Sequence, residues 1–334
     1  MSVTKAGKLG IIISTATTVL ILILAAVMFL NRQFLSDSLV SFFFEPTPAV
    51  KAIEQRVGFT ADGKRIFYAT QPELSNANSF NAQCPRQEFQ SPIIGCYTSD
   101  DRLYIYNVET KELDGIEEVT AAHEMLHAAW ARLSDDERSR LSDLLEVAYT
   151  KHASKELRDR MDYYARAQPG EHYNELHSIL PTEVAELGEE LEAHYAKYFS
   201  DRQKVIELHD KYNKLYRELY ATTEKLSSQM ESLAKDISVM RSQYESRSFQ
   251  LTADINSFNY RANSGSFTSM NQFNSERNSL LARSAQLERE RSTLNAAIDK
   301  YNDLREKYIK AASKIEVLNK GLDSFQSVDK TPSL

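Results

Sequence analysis

Two histidines four positions apart, with a glutamate directly after the first, are the residues of this sequence best suited to chemistry. They are His123, Glu124 and His127, within the segment TAAHEMLHAA. On an α-helix, side chains four positions apart point to the same side, so both imidazoles can bind one metal ion. Zn²⁺ is the usual ion at such a pair, and it lowers the pKa of a bound water to about 7. The spacing therefore predicts a zinc site in which Glu124 is the base that takes a proton from water.

The residues that flank this motif strengthen the prediction. A five-residue pattern of this kind arises by chance in roughly one of a hundred chains with this histidine and glutamate content. Thr120 stands three positions before His123. The nearest other neighbours are all uncharged: Ala121, Met125, Leu126, Ala128 and Ala129. In these respects the segment resembles the zincin metallopeptidases, and the resemblance implies a zinc-dependent peptidase domain over about residues 48–200. Two ordinary histidines without a metal are the alternative.

The third metal ligand is expected later in the chain. Arg132 and Leu133 stand where a metzincin would continue towards its glycine and third histidine, which argues against that branch. The resemblance is closer to the zincins whose third ligand is a glutamate from a later helix. The segment NELHS at residues 174–178 is most similar to that pattern, which makes Glu175 the predicted ligand. The alternatives are His172, His177 and Glu183.

Two further groups are expected around the metal. Zinc-bound histidines usually donate their free N–H to a carboxylate, but Ile179 stands where the family commonly has an acid, so that carboxylate has to come from elsewhere. A hydrogen-bond donor to the oxyanion of the tetrahedral intermediate is also needed. The candidate donors are Tyr163, Tyr164, His172 and Tyr173. Trp130 is expected in the core.

Several elements should position these residues. The turn dipeptide Asp62-Gly63 and the aromatic, β-branched run that follows predict a strand over residues 64–70, and alternation predicts a second strand over residues 102–108. The resemblance implies that the second is the antiparallel edge strand that holds the substrate backbone. Asp114 is the predicted N-cap of the motif helix, with Glu117 completing its capping box. A second capping box over residues 134–137 starts the next helix.

An uncharged apolar run near the N-terminus predicts a membrane anchor. Residues 9–30 are about long enough to cross roughly 30 Å of hydrocarbon as a helix. The run exceeds the apolar core of a signal peptide and lacks a small-residue cleavage site, which favours an uncleaved anchor. Lys5 and Lys8 precede it, so the positive-inside rule places the N-terminus in the cytoplasm. We expect a single-pass cell-membrane protein with an extracytoplasmic catalytic domain.

The two cysteines, Cys84 and Cys96, stand in a polar stretch with prolines and a glycine. Their separation suits a disulfide that closes a small loop, which stabilises by roughly 2–3 kcal/mol and fits an oxidising compartment. Two free thiols are the alternative.

Heptad spacing dominates the rest of the chain. Apolar residues recur at alternating steps of three and four over residues 201–260 and again over residues 273–325, which is typical of coiled-coil seams. Gly265, within a polar segment, favours an antiparallel hairpin over one long dimeric coil.

The expected register of this hairpin pairs Val205 with Phe325 and Phe258 with Phe273, and it places Leu233 level with Leu294. Residues 263–270 form the predicted turn. Its apolar side chains, Phe267 and Met270, either dock a protein partner or pack against their own hairpin.

Composition agrees with this organisation. The chain has 334 residues, only 10 Gly and 8 Pro, and a net charge of -7 with both signs interspersed. Few glycines and prolines argue for long helices, and the absence of a basic patch argues against nucleic acid as a partner. The predicted fold is mainly α: an α+β zincin-like domain with a small sheet, a transmembrane helix before it and a coiled-coil hairpin after it. The predicted segments are a cytoplasmic tail (1–8), an anchor (9–30), a juxtamembrane linker (31–47), the metallopeptidase domain (48–200), the hairpin (201–326) and a tail (327–334).

These features predict a membrane-anchored metallopeptidase that hydrolyses peptide bonds of envelope or secreted proteins. An alternative is an envelope coiled-coil scaffold or partner-docking protein with a vestigial or regulatory metal site. Glu124 favours the enzyme, because a scaffold has no need of a base between two ligands. A zinc hydrolase of a different substrate class stays open, since ligands alone do not identify the substrate.

Overall fold

The computed structural model describes residues 5–85 and 93–326, with only the backbone of residues 5–16. The predicted tail at 327–334 therefore lies outside the described residues, as do the side chains of the first part of the predicted anchor. The described chain is mainly helical with a small three-stranded sheet, as expected. The helices are α1 (Lys5–Leu30), α2 (Arg32–Phe43), α3 (Pro48–Val57), α4 (Ala61–Ala69), α5 (Ala77–Gln83), α6 (Ile116–Ala131), α7 (Asp135–His152), α8 (Lys155–Ala167), α9 (His172–Glu183), α10 (Glu189–Tyr195), α11 (Gln203–Asn263) and α12 (Met270–Leu322).

The chain divides into two compact units. The first comprises Met1–Lys214 and Leu318–Leu334, and the second is Leu215–Val317. The first unit thus includes the first turns of α11, which the sequence assigns to the hairpin. These turns belong to the first unit because their apolar side chains pack in its core. Val205, for example, is fully buried there with Phe59 and Phe199.

The sheet has the strand order β1-β3-β2, with β1 (Glu73–Ser75), β2 (Gly95–Tyr97) and β3 (Leu103–Tyr106). β3 confirms the strand predicted over residues 102–108. It is the central strand, however, parallel to β1 and antiparallel to β2, so the expectation that it forms an edge is wrong. All four of its side chains are buried, because helices pack on both faces of the sheet. The edge beside the motif helix is β2.

The strand predicted over residues 64–70 is wrong, because this segment belongs to helix α4. Thr60 caps the helix by accepting a hydrogen bond from the Gly63 N–H at 3.1 Å. Ile66 and Phe67 are then buried in the main core. Packing outweighs the β propensity of the run, which is a weak preference that depends on context.

The motif helix α6 starts differently from the prediction. Its N-cap is Gly115, with φ +104°, where a Cβ would lie 3.0 Å from the Leu208 carbonyl oxygen. Asp114 instead forms ion pairs with Arg56 and Lys211. The predicted capping box of α7, between Ser134 and Glu137, is present.

Residues 31–47 are not only a linker, since most of them form α2. This helix packs on α4, and its Asp37 is 3% exposed. Among the residues with described side chains, no single helix is long and apolar enough to cross a membrane. The helix segments Thr17–Leu30 and Arg32–Phe43 meet that requirement together, as a pair bent by 70°.

The second unit is an antiparallel helical hairpin, as predicted. Successive ion pairs join later residues of α11 to earlier residues of α12, so the two helices are antiparallel. These pairs are Arg247 with Glu290, Asp254 with Arg283, and Arg261 with Glu276. Gly265, with φ +67°, lies in the turn.

The register agrees with the prediction near the turn and differs further away. The rings of Phe258 and Phe273 lie 5.1 Å apart, as expected. The three ion pairs share one register, which places Leu233 level with Leu304, so Leu233 and Leu294 differ in height by about 15 Å, at 1.5 Å per residue. Phe267 packs between Phe258 and Phe273, with ring distances of 5.2 Å to each, so the tip packs on its own hairpin. The pairing of Val205 with Phe325 is wrong, because Val205 lies in the core of the first unit and Phe325 is 42% exposed.

Candidate metal centre

Helices α6 and α9 pack against each other and bring three predicted ligands together. His123 and His127 lie one turn apart on α6, with their Nε2 atoms separated by 3.1 Å. Glu175 of α9 places Oε2 at 3.9 Å from the His123 Nε2 and Oε1 at 3.9 Å from the His127 Nε2. The donor atoms all lie within 4.8 Å of one another, so the cluster could hold a metal ion.

The donor set fits zinc in both chemistry and spacing. Ligand atoms of a tetrahedral zinc site, each at about 2.0–2.1 Å from the ion, lie about 3.3 Å from one another. The two histidine nitrogens lie 3.1 Å apart, close to this value, and each lies somewhat further, at 3.9 Å, from a different Glu175 oxygen. Glu175 is 2% exposed, and its Oε2 has no hydrogen-bond partner among the described residues. A buried carboxylate oxygen without a partner is costly, and a bound cation would remove that cost.

Burial also sets the protonation of the ligands in the metal-free protein. It raises the pKa of Glu175 to about 8, and the nearby charge of Glu171 acts in the same direction. Burial lowers the pKa of His123 and of His127, and the two rings lie side by side. The imidazoles are therefore neutral near pH 7, which is the form that binds metal.

A hydrogen-bonded chain orients His127. Its Nδ1 lies 2.9 Å from the Asn174 Oδ1, and the Asn174 Nδ2 donates to the Glu171 Oε2 at 2.8 Å. A protonated Nδ1 donates to the amide oxygen and leaves Nε2 directed at the cluster. The carboxylate expected to orient a histidine is thus that of Glu171. It contacts His127 through the amide of Asn174 and not directly.

The side chain of Glu124, a residue of α6, packs against the edge strand β2. It is 7% exposed, and a backbone hydrogen bond with Tyr97 of β2 stabilises its carboxylate form. Burial raises the pKa of Glu124 to about 8, with a further contribution from the charge of Glu175. Gly95 permits this close packing, because a Cβ there would lie 2.8 Å from the Glu124 Oε1. The carboxyl group therefore sits beside the cluster without belonging to it.

The cluster and Glu124 line a cleft of about 600 Å³, with β2 along one side. Tyr163 and Tyr164 also line it, whereas the other two proposed oxyanion donors do not. The His172 Nε2 lies 3.1 Å from the Glu146 Oε2, and Tyr173 is 38% exposed. Burial raises the pKa of Tyr164 well above its usual range, so its phenol stays protonated and can donate a hydrogen bond.

The alternative third ligands have other partners. His177 is fully buried, with its Nε2 at 3.0 Å from the His194 Nε2 and its ring 5.1 Å from Trp130. Glu183 forms a two-fold ion pair with Arg160. Trp130 packs against the main core, as predicted.

The predicted disulfide between Cys84 and Cys96 is present. Cys84 caps the C-terminus of α5, and Cys96 is the central residue of β2. The bond therefore fixes the edge strand that borders the cleft.

Sequence reasoning missed several residues that shape the site. Gly95 and Tyr97 flank a cysteine in a polar stretch, and nothing in that pattern indicates contact with Glu124. Outside the cleft, Arg132 at the end of α6 forms ion pairs with Asp37 and Asp101, and its sequence neighbours do not indicate these contacts either. Only Asn174 carried a signal, as a polar neighbour of the predicted third ligand.

Comparison of this chain with protein-family models, curated proteins and solved structures finds no match. The molecule is thus defined by its own features: a mainly helical protein with a buried cluster of two histidines and one glutamate that could hold a metal ion.

Proposed function

We propose that this protein is a zinc-dependent peptidase in which His123, His127 and Glu175 bind the metal and Glu124 is the catalytic base. The observation that carries the proposal is the convergence of three potential ligand side chains in the lining of a cleft, with a second carboxyl group, that of Glu124, beside them and outside the ligand set. A purely structural metal site has no need of that extra carboxyl group. Structural zinc sites also tend to be closed by four protein ligands, whereas three protein ligands are typical of catalytic sites.

The proposed chemistry assigns a task to each side chain. His123, His127 and Glu175 would hold a zinc ion, which when bound would act as a Lewis acid and lower the pKa of a bound water to about 7. Glu124 takes the proton from the attacking water and passes it to the leaving amine. Tyr164 is available to donate a hydrogen bond to the oxygen on which negative charge develops.

A peptide substrate suits the wall of the cleft. β2 is an edge strand, and its residues Gly95, Cys96 and Tyr97 line the cleft. An extended peptide can pair with such an edge through backbone hydrogen bonds, which hold it whatever its sequence. The disulfide at Cys96 supports this role by limiting the movement of the strand.

We further propose that α1 anchors the protein in a membrane, with the catalytic unit on the extracytoplasmic side. The large apolar side chains of α1 between Val19 and Leu30 are 49–81% exposed, which is unfavourable in water and favourable in lipid. The disulfide supports an oxidising compartment.

Hydrolysis of a quenched fluorescent protein substrate by the purified full-length chain tests the activity. Replacing Glu124 by Gln should leave zinc content unchanged and reduce turnover by roughly two orders of magnitude or more, since general-base catalysis contributes about 10²–10⁴-fold. The matched control is Glu186→Gln, at an exposed position of the same unit. Equal turnover in the wild type and in Glu124→Gln would refute the assignment of the base, and an inactive zinc-loaded wild type would refute the peptidase.

A further inference from the structure

Helix α2 has one face bound to the catalytic unit. Asp37 on this face is buried and forms an ion pair with Arg132, whose Nη2 lies 2.8 Å from its Oδ1. The Arg65 Nη1 lies 3.4 Å from the other oxygen of the same carboxylate, Oδ2. Just beyond the helix, Phe44 packs on Tyr68 with the rings 5.6 Å apart. These contacts fix the orientation of α2 on the unit.

The opposite face of α2 is apolar and exposed. Leu35, Leu39, Phe42 and Phe43 are 38%, 60%, 80% and 74% exposed, and we call these four residues the α2 stripe. At about 100° per residue they cover an arc of about 100°, and Asp37 lies on the far side of the helix. Two phenylalanines and two leucines on one side of a 12-residue helix form an amphipathic pattern whose apolar side the described residues leave uncovered.

The position of α2 after α1 indicates what covers the stripe. Asn31 alone separates the two helices, and they are bent by 70°. If α1 crosses a bilayer near its normal, α2 leaves the hydrocarbon core and runs about 20° from the membrane plane. Amphipathic helices at that depth lie with their apolar side in the boundary between head groups and acyl chains. Phenylalanine and leucine are typical of that side of such helices.

We propose that α2 is a membrane-interface helix, with the α2 stripe inserted into the same lipid leaflet from which α1 emerges. The inference rests on the proposed anchor and goes beyond it, because a single spanning helix alone would leave the catalytic unit free to tilt. Asp37 and Arg132 join the lipid-facing helix to the end of α6, which carries the two histidines. The cleft is thereby held in one orientation to the bilayer, so the substrates are polypeptide segments close to the membrane surface.

Depth-dependent fluorescence quenching tests this inference with the full-length chain. The chain has one tryptophan, so a Trp130→Phe background permits one probe at a time: Phe42→Trp in the stripe, Leu22→Trp in α1 and Tyr173→Trp as an exposed control. The protein is reconstituted in phosphatidylcholine vesicles whose acyl chains are brominated at carbons 6 and 7 or at carbons 11 and 12. The probe in the stripe should lose more of its emission to the shallow bromines than to the deep ones, and more than the control probe loses, because interfacial helices insert about 5–10 Å. The control probe should be quenched least.

The three probes separate the two proposals. Quenching of both the α1 probe and the stripe probe supports the inference. Quenching of the α1 probe alone, with the stripe probe no more affected than the control, would overturn the inference and leave the anchor standing. If neither probe is quenched, the anchor itself is wrong and the inference falls with it.

Discussion

Replacing Gly95 by Ala should damage the site from the strand side. The added Cβ would meet the Thr120 Cγ2 as its closest neighbour and would lie 2.8 Å from the Glu124 Cγ and Oε1. Gly95 has no positive φ, so alanine can adopt the backbone conformation and the cost is steric. The strand cannot simply move away, because it pairs with β3 and is tied by the Cys96 disulfide. Glu124 and Thr120 therefore have to shift.

These contacts set the expected loss of stability and of turnover in Gly95→Ala. Overpacking a core site by one methyl group costs about 1–3 kcal/mol of the free energy of unfolding. Displacement of a catalytic group by about 1 Å can reduce turnover by about 100-fold. Zinc affinity should change little, since the ligands belong to α6 and α9. Thr120→Ser removes the closest methyl group, so in the double variant it should restore at least about 0.5 kcal/mol of the lost stability.

Trp130 provides the assay. It is the single tryptophan of the chain and lies on α6, so its fluorescence during urea unfolding reports the first unit rather than the hairpin. Unfolding is measured for the wild type, both single variants and the double variant, together with hydrolysis. Unchanged stability and turnover in Gly95→Ala would show that β2 does not pack on α6 as described. Failure of Thr120→Ser to restore stability would show that the methyl contact is not the cause.

Three other variants or conditions test further parts of the account. Asn174→Ala should weaken zinc binding about 10- to 100-fold in a competition titration with a chromogenic chelator, as expected for loss of a group that orients a ligand, and unchanged affinity would refute that role. Asp37→Ala should destabilise the first unit by about 1–3 kcal/mol, because Arg132 and Arg65 lose a buried partner while Arg132 keeps its ion pair with Asp101, whereas Asp62→Ala, at an exposed ion pair, should cost less than about 1 kcal/mol. In the metal-free protein, stability should fall as pH rises from 6.5 to 8, because the two cleft carboxyls with pKa raised to about 8 hold protons in the folded state that the unfolded state has released. The histidines, whose pKa is lowered in the folded state, change the free energy of unfolding with pH only below about pH 6.5. A free energy of unfolding that rises between pH 6.5 and 8 in urea titrations would therefore contradict the described burial of the two carboxyl groups.

Local patterns in the sequence predicted most of the residues that form the site. His123 and His127 meet because a helix repeats every 3.6 residues, and the resemblance of its segment to the zincins predicts Glu175. The cysteine pair and the hairpin near its turn were predictable for similar reasons, since short loops and heptads leave local patterns. Each of these features depends on neighbours within a few turns of the chain.

The remaining features depend on packing between distant segments, which one sequence does not record. Residues 61–69 fold as a helix because Ile66 and Phe67 find space in the core, although their residue types favour a strand. β3 became central because Glu73–Ser75 pairs beside it, and those residues carry no strand signal. The contact between Gly95 and Glu124 likewise joins positions that the chain brings together only after folding.

The central claim is most directly tested by the zinc content of the purified full-length chain, combined with X-ray absorption at the zinc edge. We expect about one zinc per chain, with two imidazoles and a carboxylate among nitrogen and oxygen ligands at about 2.0–2.2 Å. Zinc should be lost in His127→Ala and in Glu175→Ala, and retained in His172→Ala, whose side chain pairs with Glu146 instead. A wild-type chain without zinc, or equal zinc in all three variants, would contradict the account.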